Sequence, residues 1–462
     1  MARRWKVLLV TAVAVFMGFL DVTIVNIAFP DIRSSFPHSS LAGLSWVLNA
    51  YNVVFAALLV PAGRVADIVG RRRMFFIGLV TFLAASAACG AASSVEMLVA
   101  ARVVQAAGGA ILVPTSLGLL LPEFPLEERA TATALWGATG AVAAATGPSL
   151  GGVLVHATDW RLVFFVNIPI GLAALIPARG LLRETKQEGG RLPDALGTAL
   201  LTLGVAALSL GLVKGTDWGW GDGRTVGSLI AGALLLIAVV YRSSTHAAPI
   251  FELSLFKVRS FSVAVSGTFL FSLAFYALLL CNILFLTTVW HYSVLKAGFA
   301  VTPGPLLAAL SASVSGRFAD RHGQRVLAVP GPLVFATGCV LFALTLGAES
   351  HYLGHYLPAT VLTGIGVGMS FASFSSAAVA ELPPTRFATG SAIASCMRQI
   401  GAVLGISVLI ALLGTGQSLH TFHHAYALMA IPSAAAGVIA LGLGRVRARD
   451  PLETVAQPAE SA

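Results

Sequence analysis

Long apolar runs, broken only by short charged or Gly- and Pro-rich connections, fill almost the whole chain. They lie at 7–30, 44–62, 74–93, 96–121, 131–155, 161–182, 194–213, 226–241, 261–289, 297–315, 326–347, 354–380, 388–414 and 425–444. A stretch of about 20 apolar residues crosses a hydrocarbon core about 30 Å thick. No water in that core can bond free backbone groups, so such a run is restricted to α-helix. The chain is therefore expected to be an all-α membrane protein with fourteen spans. Composition excludes a soluble core: 57% of the 462 residues are apolar, 11% are charged and the mean hydropathy is +0.86, whereas soluble domains carry about 25% charged residues.

The net charge of +9 does not point to nucleic acid, because the basic residues sit in short connections beside the apolar runs and form no basic face. Cys89, Cys281, Cys339 and Cys396 fall inside apolar runs with no CxxC, and read as small buried apolar residues. The first run continues through Asp21 to Pro30 without a small-residue cleavage site, so it reads as an uncleaved span and not as a signal peptide.

Basic residues are retained on the cytoplasmic side of a membrane. With the N-terminus inside, 22 of the 29 Lys and Arg residues fall in cytoplasmic segments; Arg33, Arg161, Lys214, Arg224 and Lys296 fall outside, and Arg102 and Arg398 lie within spans. Both termini are accordingly expected in the cytoplasm.

An internal repeat tests the span count by a separate route. GRVADIVGRRR, from Gly63 after the second run, returns as GRFADRHGQR from Gly316 after the tenth, 253 residues later. Two six-helix halves at about 30 residues per helix and loop give an offset of about 190, leaving a surplus of about 60 residues, enough for two more spans. The expected organisation is a six-helix bundle over 1–190, two linking helices over 191–245 joined by KGTDWGWGDGR, a second bundle over 246–446 and a cytoplasmic tail over 447–462. PIFELSLFKVRSF, ahead of the ninth run, is either an interfacial amphipathic helix or a loop anchored by its aromatics.

In the first copy of the repeat, Gly63 and Gly70 permit close approach and a tight turn. Asp67 can cap the next helix or pair with an arginine, and Arg71, Arg72 and Arg73 hold the loop inside. Asp320 and Arg321 occupy the matching places in the second copy, with Gln324 replacing a basic residue. This recurring pattern of glycine, acid, glycine and base resembles the signature loop of the major facilitator superfamily. The resemblance implies that Gly63, Asp67, Gly70, Arg71, Arg72, Asp320 and Arg321 gate the movement of two latched halves.

LDVTIVNIAFP places Asp21 at mid-membrane, the only carboxylate deep in any run. An acid there costs about 2.5–3.5 kcal/mol on insertion scales, which favours a functional role over a snorkelling or helix-paired one. The string resembles the first-helix motif of the fourteen-helix drug:proton antiporters, the EmrB/QacA type. In the fourth run Arg102, Gln105 and Gly109 share one helical face, and a buried arginine needs an anionic or carbonyl partner. RVVQAAGGA resembles the fourth-helix motif of the same superfamily, which implies a role for Arg102 in proton coupling; a static ion pair between helices is the competing reading. GPSLGG in the fifth run sets Gly147 and Gly151 four apart for close helix packing, beside Gly152, while Pro148 frees a carbonyl and bends the helix. It resembles the fifth-helix motif associated with antiporters, with Ala143 where the family has a glycine. Further resemblance in WVLNAYNVVFAALLVPAGR, DWRLVFFVNIPIGL and SCMRQIGAVLGISVL extends the match from residue 20 to 410.

The expected fold is thus the major facilitator fold, two pseudo-symmetric six-helix bundles around a midplane cavity, with two extra transmembrane helices. Asn26, Asn49, Tyr51, Asn52, Gln105, Asn282, Arg398 and Gln399 are further polar groups in apolar runs. Each either lines that cavity or hydrogen-bonds one helix to another. There is no GxxxxGK[ST] loop to hold ATP, no HExxH and no GxSxG, so neither an ATP-driven pump nor an enzyme is expected. The outward histidines, HTFHH at 420–424 included, lack cysteine or carboxylate company and are not read as a metal site.

The expected function is proton-coupled export of amphipathic organic compounds across the bacterial inner membrane, with multidrug or antibiotic efflux as its setting. Asp21 takes the proton and Arg102 stabilises the ionised form. No cofactor beyond the coupling proton is expected; the partners are the lipid bilayer and small organic substrates, with the protein acting as a monomer. Proton-coupled uptake of a defined solute is the alternative, against which GPSLGG argues. A membrane enzyme or signalling scaffold would need a catalytic cluster or soluble domain that the sequence lacks.

Overall fold

The computed structural model describes residues 2–125, 128–186, 192–383, 386–414 and 416–444, apart from the side chains at 129–131, 134, 141, 316, 317, 320, 321 and 388. Fourteen helices are long and apolar enough to cross a membrane: α1 (Arg3–Ser35), α2 (Leu41–Val69), α3 (Arg71–Gly90), α4 (Val95–Glu123), α5 (Leu135–Ala157), α6 (Leu162–Leu181) and α7 (Ala195–Trp218). The rest are α8 (Gly223–Thr245), α9 (Arg259–Thr288), α10 (Val294–Ser315), α11 (Arg325–Thr345), α12 (Tyr352–Ala380), α13 (Thr389–Leu413) and α14 (Leu419–Ala440). Each coincides with one apolar run of the sequence, and no strand occurs among the described residues. The protein is an all-α, multi-pass membrane protein.

Helix starts follow local chemistry. Ser40, Ser94, Asp194, Asp222, Ser293 and Ser418 cap α2, α4, α7, α8, α10 and α14, each side chain accepting a backbone N–H of the first turn. One such cap is worth about 1 kcal/mol. The apolar run that stops at Pro30 underestimates α1, which continues to Ser35, because a proline deletes one backbone bond without ending a helix that its neighbours hold. PIFELSLFKVRSF forms only a short 3-10 turn, Leu253–Lys257, with Leu255 buried, and so is a packed loop and no interfacial α-helix.

Within the first six helices, α1 packs on α4, α5 and α6, while α2 and α3 pack on α4. The same pattern returns after α8: α9 packs on α12, α13 and α14, and α10 and α11 pack on α12. The two groups meet where α2 touches α13, α5 touches α10 and α1 touches α9. Helix α7 lies against both α2 and α13 and carries α8 on its outer side. Helix α8 turns Ile230, Leu234, Ile237 and Val240 outward as a lipid-facing stripe.

Arg3 reaches the Leu181 carbonyl and Glu123, so the start of α1 and the ends of α4 and α6 share one face, the N-terminal face. On the far face Trp160 donates its N–H to Asp31 and its ring N–H to Ser35, and Arg33 donates to Gln417. The far half of the interface is closed. A Cβ on Gly298 of α10 would lie 2.5 Å from the Pro148 carbonyl oxygen of α5, and one on Gly152 of α5 would lie 3.1 Å from Leu295 Cα.

Candidate functional site

Helix α1 brings Asp21 to the middle of the first six helices, where α4 and α6 reach it and α2 and α3 hold its partners. Its carboxylate accepts from Arg102 Nη1 of α4, from Gln105 Nε2 at 2.8 Å and from Asn167 Nδ2 of α6 at 3.1 Å. Ser86 of α3 accepts from the same two amides, at 3.2 and 3.0 Å, and donates to the Phe164 carbonyl at 2.9 Å. Arg102 also donates Nε to the Val47 carbonyl of α2 at 3.0 Å and Nη1 to Gln105 Oε1 at 2.7 Å, and its guanidinium lies 4.1 Å from the centre of the Tyr51 ring. Asp21 is 0% and Arg102 1% exposed. In such a setting the loss of either partner strands a buried charge, at a cost of about 3–5 kcal/mol.

The spacing read from the sequence has a direct structural reason. Arg102 and Gln105 stand one turn apart on the face of α4 turned to α1, which lets one fork and one amide grip a single carboxylate. Three donors fill three of the roughly four acceptor sites of this carboxylate, and a proton on Asp21 would cancel the charge on which the Arg102 contact depends. Asn167 and Ser86 were not singled out in the sequence. Asn167 carried a legible signal, an amide inside the apolar string DWRLVFFVNIPIGL; Ser86 carried none, because single serines are common in membrane helices.

The other polar groups separate into distinct places. Asn49 donates to Ser209 of α7 and Ser407 of α13 in the far half. Asn52 accepts from Gln399 of α13 at 3.5 Å, a second link between the halves. Tyr51 and Gln105 belong to the Asp21 cluster. Asn282 accepts from Tyr426 at 3.0 Å and ties α9 to α14 within the second half. Asn26 is buried, donates to the Val22 carbonyl one turn back and leaves its Oδ1 without a partner. Arg398 lies in the middle of α13, partly exposed, with a buried Nε that has no partner.

GPSLGG acts as a wedge between two helices. A Cβ at Gly147 would collide with Thr23 of α1, one at Gly151 would lie 2.8 Å from Ile24 Cγ1 of α1, and Gly152 faces α10. The signature loop is held within the first half. Arg71 donates Nε to Asp67 at 2.7 Å and Nη1 to the Gly118 carbonyl at 3.0 Å. Glu184, just after α6, accepts the backbone N–H groups of Arg72 and Arg73 at 3.0 and 3.1 Å, an anion seated on the start of α3. Gly70 has φ of +121°, and a Cβ there would lie 2.7 Å from the Glu184 carboxyl. Gly63 packs on Pro114 of α4. A contact that does cross halves is Arg64 to Glu252, at 4.0 Å. The side chains of Asp320 and Arg321, and the tail 447–462, lie outside the described residues.

Among the described residues no three His, Cys, Asp or Glu side chains converge. Of the far-face histidines, His423 binds the Leu346 carbonyl at 2.8 Å and His420 lies against His424, ring centres 4.1 Å apart.

Comparison with known proteins agrees with this geometry. The profile of the Major Facilitator Superfamily matches residues 11–279 and again 264–461. The chain is 33% identical over 419 residues to a probable actinorhodin transporter of Streptomyces coelicolor, covering 88% of this chain and 72% of that protein. It is 34% identical over 411 residues to the tetracenomycin C resistance and export protein of Streptomyces glaucescens, covering 88% and 75%. It is 32% identical over 402 residues to the multidrug export protein EmrB of Haemophilus influenzae, covering 87% and 78%. With fourteen membrane-length helices in this packing and these matches over most of its length, the chain belongs to the Major Facilitator Superfamily, among its EmrB/QacA-type members.

Proposed function

We propose that this chain is a secondary active exporter that moves small amphipathic organic compounds out of a bacterial cell in exchange for protons. It sits in the cytoplasmic membrane as a monomer, both termini inside, with no cofactor beyond the coupling proton. Relatives whose names describe export, the tetracenomycin C resistance and export protein and the multidrug export protein EmrB, support the direction of transport. The observation that carries the coupling is the Asp21 cluster, a buried carboxylate whose three donors come from two different helices.

In this reading the state described is closed on the outside. When the far side opens, a proton reaches Asp21, the Arg102 grip is broken, and α1 is freed to shift against α4 and α6. Arg102 then turns to the Val47 carbonyl and Gln105 Oε1 that it already touches. Release of the proton to the cytoplasm restores the ion pair. Because each ligand shifts the balance only by its preference for one state, proton and substrate exchange when they favour opposite states.

The test uses everted vesicles carrying the protein and a panel of candidate drugs. Substrate addition is expected to release protons from energised vesicles. Asp21→Asn, near-isosteric but unable to cycle a proton at neutral pH, should abolish that release while the protein remains in the membrane. Full active transport by this variant would remove Asp21 from the mechanism.

A further inference from the structure

We propose that the compounds carried by this protein bear an acidic oxyanion on an aromatic body, and that Arg398 is the residue that binds the anion. The proposal rests on the reading of the chain as a transporter of organic compounds through its centre, and it names the class of those compounds.

Arg398 stands about 14 Å into α13 from the end near Thr389, at the rise of an α-helix, close to half the thickness of a hydrocarbon core. The next residue, Gln399, reaches Asn52 of α2, so this level of α13 lies on the boundary between the halves. Three charged side chains occupy the middle depth of the described spans: Asp21, Arg102 and Arg398. Asp21 is committed to Arg102. Among the described residues no carboxylate lies within ion-pair distance of Arg398. The described residues at the protein's centre thus carry one guanidinium more than they can neutralise.

A guanidinium at this depth is costly, and such residues pair with one another, with carbonyls or with whatever passes through a polar cavity. Arg102 has the first two kinds of partner in full. Arg398 has neither among the described residues, its Nε being buried and unbonded while the residue as a whole is partly exposed. The missing counter-charge is supplied by the cargo.

The surroundings define the rest of that cargo. Helix α9, which carries Tyr276, packs on α13, and Tyr276 lies within electrostatic reach of both Arg398 and Tyr51. Beside it, Phe275 packs edge-on against Tyr276 and Phe371 at centroid distances of 5.1 and 5.3 Å, and Phe371 in turn meets Phe271 at 5.0 Å. All of Phe275, Tyr276 and Phe371 are only partly buried. An aromatic wall favours flat rings in edge-to-face contact. The planar fork beside it matches a carboxylate or a comparable oxyanion. A cationic amphiphile would meet a like charge, with no carboxylate among the described residues within ion-pair distance of it.

Two probes that differ by one sulfonate group separate this from a purely apolar cavity: 8-anilinonaphthalene-1-sulfonate and its neutral parent N-phenyl-1-naphthylamine. Equilibrium binding of each to the purified full chain in lipid nanodiscs, corrected for empty discs, is the measurement. The anion is expected to bind about tenfold more tightly than the neutral parent, the ratio expected for a charge-assisted contact. Arg398→Gln should remove that preference with the neutral probe unchanged, and Arg398→Lys should keep part of it. Equal binding of the two probes to the unaltered protein, binding of neither, or an anion preference that survives Arg398→Gln would each overturn the proposal. Failure of the export reading would show instead as absent proton release in vesicles, which this binding measurement does not depend on.

Discussion

The Ser209 and Ser407 hydroxyls lie 2.7 Å apart, and the Asn49 amide donates to both, at 3.3 and 3.2 Å. All three groups are 0% exposed, and they belong to α7, α13 and α2. One helix of the added pair is therefore bonded into the seam that holds the far half of the protein shut. Opening that half requires α2 to leave α13, which breaks this triad.

Removing one hydroxyl should loosen the seam. Ser407→Ala leaves the Asn49 amide and Ser209 each short of a partner, at about 1–2 kcal/mol, which corresponds to an increase of about 5–30-fold in the far-open population. Labelling of a Ser45→Cys variant, buried at the far-face end of α2, by a membrane-impermeant maleimide should accelerate by that factor in the Ser407→Ala background. An unchanged rate would mean that the triad does not hold the seam.

The contact between α5 and α10 closes the same half by shape alone. Gly298 faces the Pro148 carbonyl oxygen at a distance that leaves no room for a side chain. Gly298→Val should force the two helices apart, at about 1–3 kcal/mol of overpacking, and favour the far-open form. Proton-driven transport is expected to fall at least about tenfold, the counterpart of 1.4 kcal/mol, while the amount of protein in the membrane is kept. Gly180→Ala, in open space on α6, is the control and should behave as unaltered protein.

Asp194 links the added helices to each other at the N-terminal face. It caps α7 through the Gly197 N–H at 2.9 Å and accepts Arg242 Nε of α8 at 2.7 and 2.8 Å. Burial raises its pKa, but the Gly197 N–H and the Arg242 guanidinium outweigh that and hold it below the ordinary 3.8. A depressed carboxyl stabilises above its unfolded value and loses that stabilisation as pH falls through the folded one. The contribution of this carboxyl to the docking of α7 on α8 should therefore hold from neutrality down to 3.8 and be lost only below it. Asp194→Asn keeps the cap and loses the ion pair. Thermal unfolding at neutral pH should show a loss of about 1–2 kcal/mol. The acid dependence below 3.8 should shrink in the same variant.

What the sequence revealed, and what it hid, divides along the reach of each contact. Asp21 and Arg102 were legible because a charge inside an apolar run is costly wherever its partner lies, and Gln105 because it shares a face with Arg102. Asn49 and Arg398 looked alike as polar groups in apolar runs, yet one is bonded across three helices and the other has a buried Nε without a partner among the described residues. Only the packing of distant segments separates them. The same holds for Gly70: a turn was evident from the glycine, but its close neighbour, Glu184, is 114 residues away in the chain. In the signature loop the legible pair Asp67 and Arg71 is local, whereas the Gly118 carbonyl that completes the arginine's partners is not.

Arg102 separates a fixed ion pair from one that exchanges partners. If the pair is static, Arg102→Lys should keep most activity, since the charge is retained, while Arg102→Ala should chiefly lower yield by stranding Asp21, at about 3–5 kcal/mol. If the pair must break and re-form, the fork is required, because Arg102 spans Asp21, Gln105 Oε1 and the Val47 carbonyl at once while lying over the Tyr51 ring. A lysine offers one compact ammonium, which cannot reach all of those acceptors or stack as a plane. The lysine variant is then expected to fold, to bind substrate within about threefold of the unaltered protein, and to lose proton-driven uptake in reconstituted vesicles by about 100-fold, the counterpart of two charge-assisted hydrogen bonds. Substrate binding and uptake are measured on the same preparation. Normal uptake with lysine at position 102 would end the exchanging role for this residue and leave coupling to Asp21 through its amide donors, Gln105 and Asn167.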